Sequence, residues 1–395
     1  MQGKAFVAGV GMIPFGKPGS TDPYDVMGGT AVRLALANAG LEYPDVEQAV
    51  VGYVYGDSTS GQRALYQVGM TGIPVINVNN NCSTGSTALY LARQAVASGA
   101  ADCVLALGFE QMQPGALTTH WTDRPSPFVD FDRLCEEINP YPVPLALRYF
   151  GGAGAEYMTK YGAKPDLFAK VRAKASRHAA NNPMALFRKV VTEEEVLASP
   201  MVFPEAGLTR LMACPPTCGA AAAILVSEAF ARKHNLDRRV YIDAQAMTTD
   251  RPDTFDKRSM MSLVGADMTR EAADRVYQQA GIGPDDVDVV ELHDCFAQNE
   301  VLSYEALGLC PEGQAADFVA RGDNTYGGKY VVNPSGGLLS KGHPLGATGL
   351  AQCTELVLQL RGEAGPRQVD GARVGLQHNL GLGGACVVTL YRRAA

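Results

Sequence analysis

Two stretches in opposite halves of this chain end a helical pattern in the same way and then enter a strand. The first is Leu36-Ala37-Asn38-Ala39-Gly40-Leu41, followed by Asp45-Val46. The second is Tyr277-Gln278-Gln279-Ala280-Gly281-Ile282, followed by Asp286-Val287. A glycine after the last helical position can take the left-handed conformation that closes a helix. The valine-rich run beyond it suits a buried strand. Farther along each half, a turn containing Gly, Ser or Thr precedes another helix, around Cys82 in the first half and His343 in the second. We read this as an internal duplication of one α/β unit. Strand and helix alternate, which implies a parallel or mixed sheet. Helices are expected over residues 25–39, 88–97, 228–235, 299–307 and 350–360. Strands are expected over 5–10, 101–107, 219–227, 240–247, 372–376 and 385–391, and a strand with its loop over 46–55.

A chain of 395 residues with 46% apolar content can bury a sizeable core, and its length suits about two to three domains. The net charge of -7 argues against a general nucleic-acid binder. No apolar run approaches the ~18 residues of a membrane span. Nine scattered cysteines, an odd number, suit a reducing compartment better than a disulfide framework, so a cytoplasmic protein is expected. The C-terminus carries no Ser-Lys-Leu peroxisomal address. Cys214 and Cys218 lack a second ligand pair, which makes a zinc site improbable; no metal is expected. Between residues 110 and 212 the strand–helix rhythm gives way to prolines, the only tryptophan and short helical pieces. Between Arg148 and Lys189 lie nine basic residues (Arg148, Lys160, Lys164, Lys170, Arg172, Lys174, Arg177, Arg188, Lys189) against two acidic ones, Glu156 and Asp166. That excess suggests an anionic ligand such as a nucleotide phosphate, the alternative being a solvated face or subunit contact.

The chemistry concentrates in four turns. An apolar run over 73–78 feeds Asn79-Asn80-Asn81-Cys82-Ser83-Thr84-Gly85-Ser86, a strand-to-helix elbow with a thiol at its tip. A helix N-terminus lowers a thiol pKa and favours the nucleophilic thiolate. Equally, Cys82 could be a buried structural cysteine. A second strand, from Val289, ends in His293-Asp294-Cys295-Phe296. A third turn is Gly342-His343-Pro344-Leu345-Gly346-Ala347-Thr348-Gly349, and a fourth Gln377-His378-Asn379-Leu380-Gly381-Leu382-Gly383-Gly384. Glycine-rich turns at strand ends are where open α/β sheets bind ligands. His343 is the best base for the thiol. Backbone N–H groups at Cys82 and Gly381 could hold a developing oxyanion. Cys295 could move protons to or from a carbon acid, or be structural.

These four turns, in this order, resemble those of thiolases, specifically the sterol carrier protein type, and the similarity extends over nearly the whole chain. The resemblance implies a duplicated five-layer α-β-α-β-α thiolase fold with an inserted loop domain. The segments would be 1–118 for the first part of the N-terminal half, 119–212 for the insert, 213–238 for its completion, and 239–395 for the C-terminal half. No carrier domain is expected beyond Ala395. By position, Cys82 matches the acylated nucleophile, and His343 the histidine that activates it and binds a thioester oxygen. His293 stands where many thiolases have an asparagine of the oxyanion hole. Asn379-Leu380-Gly381 aligns with a Cys-x-Gly turn, so the second catalytic cysteine is replaced by Cys295. Cys82 and Gly381 N–H would form the other oxyanion hole. Cys218 stands in Pro216-Thr217-Cys218-Gly219, where Ser-Asp-Gly would be expected.

The resemblance implies a 3-ketoacyl-CoA thiolase, working by a ping-pong mechanism that yields acetyl-CoA or propionyl-CoA and a shortened acyl-CoA, or running in reverse as a Claisen condensation. Coenzyme A is a co-substrate, no cofactor is held permanently, and the protein is expected to be a homodimer or homotetramer. The competing readings are a condensing synthase, a retro-aldol lyase on the same fold, and a non-catalytic acyl-CoA-binding scaffold. The roles of His378, Asp294 and Cys218 stay open between structure and chemistry.

Overall fold

The computed structural model describes residues 3–114, 117 and 121–394. The domain boundary expected at residues 118–119 lies outside them. Twelve strands follow in chain order: β1 (Ala5–Met12), β2 (Gln48–Gly52), β3 (Val75–Val78), β4 (Cys103–Glu110), β5 (Met201–Phe203), β6 (Leu208–Thr209), β7 (Gly219–Ser227), β8 (Val240–Thr248), β9 (Val289–Glu291), β10 (Val331–Val332), β11 (Val374–Gly381) and β12 (Ala385–Arg393). All but the β5–β6 ribbon join one mixed sheet, in the order β10-β9-β11-β12-β8-β1-β7-β4-β2-β3. Its two halves are copies. β2 pairs in parallel with β3 and β4, and β9 with β10 and β11. β7 then runs antiparallel to β4 and β1, as β12 does to β11 and β8. The halves meet at β1 and β8 through two residue pairs, Ala5–Ile242 and Phe6–Tyr241.

The duplication extends to hydrogen-bond detail. Gly40 and Gly281 close helices Tyr24–Ala39 and Ala266–Ala280 with φ of 71° and 65°. The next residue's N–H reaches back to Leu36 O at 3.0 Å in one copy and Tyr277 O at 3.2 Å in the other. A single turn of helix follows each. The Asp45 and Asp286 carboxylates then accept the N–H of Glu42 and Gly283, each at 2.9 Å.

Helices cover the sheet on both faces. Tyr24–Ala39 lies against β1, β4 and β7, and Ala266–Ala280 against β8 and β12. Helices Thr84–Ser98 and Thr348–Arg361 pack on each other between the two half-sheets, giving the five layers that the resemblance implies. β7 explains how two backbones fit there. Its alternate residues Ala220, Ala222, Ile224 and Val226 face the outer core, while Ala221, Ala223 and Leu225 face the central helices. The small inward side chains let Ala88 and Ala92 of the first central helix approach closely. Between β4 and β7, helices Val129–Ile138, Leu145–Tyr161 and Pro165–Ala179 and the β5–β6 ribbon share the second half's core.

Two elements differ from expectation. The first central helix begins at Thr84 rather than Ala88, because Thr84, Gly85, Ser86 and Thr87 are buried against the opposite half and their polar composition does not mark a loop. The fourth turn is mostly strand: β11 runs unbroken through His378 and Asn379 to Gly381, paired with β12 from Val374–Arg392 to Gly381–Ala385. Only residues 382–384 turn, with Gly383 and Gly384 at φ 90° and 98°.

Close backbone contact between the halves sets one testable demand. A Cβ on Gly346 would lie 2.3 Å from Phe109 O and 2.8 Å from Gly52 O, atoms that cannot swing away. Gly346→Ala is expected to destabilise by about 1–3 kcal/mol or more in urea unfolding. Gly283→Ala, at a site with nothing within 4 Å, should change stability little.

Candidate active site

The elbow that carries Cys82 is built from its own side chains. Asn80 N–H donates to Thr84 Oγ1 at 2.8 Å, and Asn80 O accepts from Ser83 N and Ser83 Oγ at 3.1 and 2.8 Å. Asn81 takes the left-handed conformation, φ 50°, and its amide donates to Leu382 O at 3.1 Å. Cys82 is thereby set immediately before Ser83, the N-cap of helix Thr84–Ser98. Gly381 closes against this elbow: a Cβ there would meet Asn80 O at 2.2 Å and Ser83 Oγ at 2.8 Å.

His343 arrives from the other half on a turn opened by Gly342, φ 113°. Its N–H donates to Thr217 Oγ1 at 3.1 Å, and Gly346 N–H donates to the buried Glu110 carboxylate at 3.0 Å. Val54 and Tyr55 N–H donate to the same carboxylate at 3.1 and 2.9 Å. The His343 tautomer follows from its partner. Nδ1 lies 2.7 Å from Thr348 Oγ1, and that hydroxyl spends its one hydrogen on Pro344 O at 3.0 Å. Nδ1 must therefore carry the proton and donate it. Nε2 is left as a lone pair, buried and without a hydrogen-bond partner among the described residues.

Donor atoms of Cys82, His293 and His343 lie within 4.8 Å of one another. Cys82, Cys295 and His343 line one cavity of about 520 Å³, otherwise walled mostly by apolar side chains including Met112, Leu147, Phe150 and Phe296. A third thiol, Cys214, faces the same space, and its N–H donates to Cys295 O at 2.9 Å. Sequence reading weighed Cys214 only as a metal ligand. Its place here had no local signal. Arg210 is the one arginine or lysine among the described lining residues.

The other candidates hold structure. Asp294 accepts from Leu338 and Leu339 N–H at 2.7 and 3.3 Å, which caps the short helix Gly337–Ser340. His378 accepts from His293 N–H at 3.4 Å through Nδ1, and its other ring nitrogen meets Thr269 Oγ1 at 3.0 Å. Cys218 is buried at the start of β7, its thiol 3.5 Å from Met112 O. The basic segment does not form one docking face. Arg172 is buried on Ser340 and Lys174 on Glu300, while Arg148, Lys160 and Lys170 pair with Asp132, Glu312 and Asp166.

Electrostatics overturn one expectation. A helix N-terminus contributes at most about 2 kcal/mol toward an anion. Burial, with Glu110 nearby, pushes the Cys82 thiol from 9.0 up to about 12, a shift worth about 4 kcal/mol. Burial wins, and the resting thiol is protonated. Burial and Lys341 likewise push His343 down to about 3, so it is neutral. The resting pair is a thiol beside a free imidazole base, not an ion pair.

Comparison with known proteins places the chain in a family. The model "Thiolase, N-terminal domain" matches residues 5–192, and "Thiolase C-terminal domain-like" matches 252–390. The chain belongs to the thiolase family. Sterol carrier protein 2 of Bos taurus is 56% identical over 99% of this chain and 73% of its own length. Non-specific lipid-transfer protein-like 2 of Caenorhabditis elegans is 45% identical over 98% and 96%. Benzoylsuccinyl-CoA thiolase subunit BbsB of Thauera aromatica is 35% identical over 100% and 98%. Human mitochondrial 3-ketoacyl-CoA thiolase superposes with a TM-score of 0.75 at 19% identity, covering 100% of this chain and 99% of its own, which establishes likeness of fold alone. The chain is thus an acyltransferase of the sterol carrier protein type of thiolase.

If Cys82 rests as a thiol near pKa 12, its alkylation by iodoacetamide should accelerate about tenfold per pH unit from pH 7 to 10, since thiolate is the reactive form and its fraction grows below the pKa. A plateau starting near pH 6 would instead mark a thiolate–imidazolium pair.

Proposed function

We infer that this thiolase cleaves 3-ketoacyl-CoA with coenzyme A through an acyl-Cys82 intermediate. The observation that carries this reading is the Nε2 lone pair of His343, without a partner among the described residues and buried beside Cys82 in an apolar cavity that also holds Cys295. As Cys82 Sγ bonds to the 3-keto carbon, its proton passes to His343 Nε2. Gly381 and Cys82 N–H receive the oxyanion that forms. The bond between carbons two and three then breaks. His293, together with His343, holds the thioester oxygen of the departing enolate, and Cys295 gives carbon two its proton. Burial keeps Cys295 a thiol, pushed well above its ordinary value, which suits a proton donor. In the second half-reaction the coenzyme A thiol gives its proton to the Cys295 thiolate and takes the acyl group. The released Cys82 thiolate recovers its proton from His343.

Arg210 on the cavity wall is the group we assign to the coenzyme A phosphates. A homodimer is the simplest assembly: among the described residues β3 ends the sheet with one edge unpaired, and Ile76 on it is 42% exposed. A cytoplasmic setting suits nine cysteines that are all free thiols.

Intact-mass analysis after exposure to acetoacetyl-CoA tests the reading. An acetyl adduct is expected on the wild type, absent from Cys82→Ala and discharged by coenzyme A. No adduct, despite tight acyl-CoA binding, would point to a scaffold or lyase. An adduct that coenzyme A cannot remove would point to a condensing enzyme.

Cys295→Ser separates the two roles of the site. Acetyl transfer from acetyl-CoA to Cys82 makes no carbanion and asks Cys295 only to protonate the departing coenzyme A thiolate, a weak base, so it should fall far less than cleavage. Cleavage of acetoacetyl-CoA should fall by roughly 10²–10⁴-fold in kcat. Equal loss of both would show that Cys295 only supports the cavity.

A further inference from the structure

Asn379 stands on β11 between the nucleophile's elbow and His293, touching both and facing neither solvent nor the cavity wall. Its amide nitrogen lies 3.0 Å from Cys82 O and 3.0 Å from His293 Nδ1. Its amide oxygen lies 2.8 Å from Ser86 Oγ. Which end is which is fixed by chemistry. A backbone carbonyl can only accept, so the atom against Cys82 O must be the nitrogen. Ser86 settles the other end. Its hydroxyl accepts from Gln377 Nε2 at 2.7 Å, and Gln377 Nε2 also donates to Gly349 O at 2.8 Å, again a carbonyl that can only accept. The Ser86 hydrogen is therefore available to Asn379 Oδ1. Tyr391 completes the chain by donating to Gln377 Oε1. Every member of this relay is buried.

From this polarity we propose that Asn379 is a positioning residue that locks the tautomer of His293. The two hydrogens of its amide go to Cys82 O and to His293 Nδ1. His293 Nδ1 must then be the lone pair, and its single ring proton sits on Nε2. This inference rests on the thiolase reading for its purpose: His293 is held as an N–H donor for a substrate oxygen, while Thr348 holds His343 in the opposite tautomer as a base. The two imidazoles, 5.0 Å apart between ring centres and nearly perpendicular, are chemically the same until their partners divide the work. The lock also bears on metals. Cys82, His293 and His343 have a spacing that could hold an ion, but His293 offers its one lone pair to Asn379 and presents N–H on its other nitrogen. Of the two histidines, only His343 has a free lone pair to give.

Substituting Asn379→Asp reverses the lock, because a carboxylate accepts where the amide donated. Histidine-selective ¹⁵N labelling, read by long-range ¹H–¹⁵N correlation and assigned with His293→Asn, reports the tautomer directly in the resting enzyme. The wild type is expected to carry the His293 proton on Nε2, and Asn379→Asp to carry it on Nδ1. With acetoacetyl-CoA, kcat should fall about 100-fold or more while KM stays within about threefold. A wild-type His293 protonated on Nδ1 would overturn the proposal, whether or not Asn379→Asp folds. A tautomer unchanged in Asn379→Asp, with kcat nonetheless reduced, would also overturn it, leaving Asn379 as a brace for the Cys82 carbonyl. Should the tautomers come out as stated while the wild type forms no acyl-Cys82, the lock stands and the thiolase reading falls.

Discussion

The site depends on two backbones touching where the halves of the molecule meet. A Cβ on Gly85 would meet Gly346 O at 2.7 Å, one on Gly108 the same oxygen at 2.2 Å, and one on Gly349 would meet Ser86 N at 2.2 Å. Where main chains come this close, no side chain can intervene. The turn that carries His343 is pressed against the ends of β2 and β4 and against the first residues of the central helix, whose elbow carries Cys82. Glu110 fastens the arrangement by accepting N–H groups from both halves, and its burial holds its carboxyl up to about 7. Without this contact the nucleophile and its base belong to separate domains. With it, their positions are set by backbone rather than by flexible side chains.

Burial then decides the chemistry of the resting site. An exposed cysteine at a helix N-terminus beside a histidine would tend toward an ion pair. Here the thiol and the imidazole are buried, and separated charge costs more than the helix end returns. Proton transfer is coupled to bond formation: Nε2 of His343 takes the proton only when carbon takes the sulfur. The buried histidines 293, 343 and 378 share this neutral state, which makes their tautomers, rather than their charges, the variable that the surrounding hydrogen bonds control.

Much of this was legible in the chain. The repeated Ala-Gly helix ends named the duplicated unit, and the cysteine and histidine turns named the residues the fold collects. What was not legible came from pairing and burial. Asn379-Leu380-Gly381-Leu382 has the composition of a turn, yet hydrogen bonding to β12 keeps it extended to Gly381. Thr84 to Thr87 have the composition of a loop, yet burial against the opposite half makes them the first turn of a helix. The positive charge of Arg172 and Lys174 suggested a ligand, but both point into the protein toward Ser340 and Glu300. No spacing rule links Asn379 to His293, which is 86 residues away in sequence. That contact exists because β9 and β11 are neighbours in the sheet.

Duplication supplies the reason for two unlike groups at one place. In each half, the turn before the central helix is the part of the unit that projects toward the other half. When two such units pack with their central helices in contact, those turns converge. One copy presents Cys82 and the other His343, so the pseudo-symmetric fold yields an asymmetric pair. The strands beside the central helices contribute the next layer in the same fashion: β9 leads to His293 and Cys295, and β11 carries Asn379. A single unit could hold a thiol or a base at its helix end. Only two, divergent in sequence but joined in geometry, can hold both within reach of one carbonyl carbon.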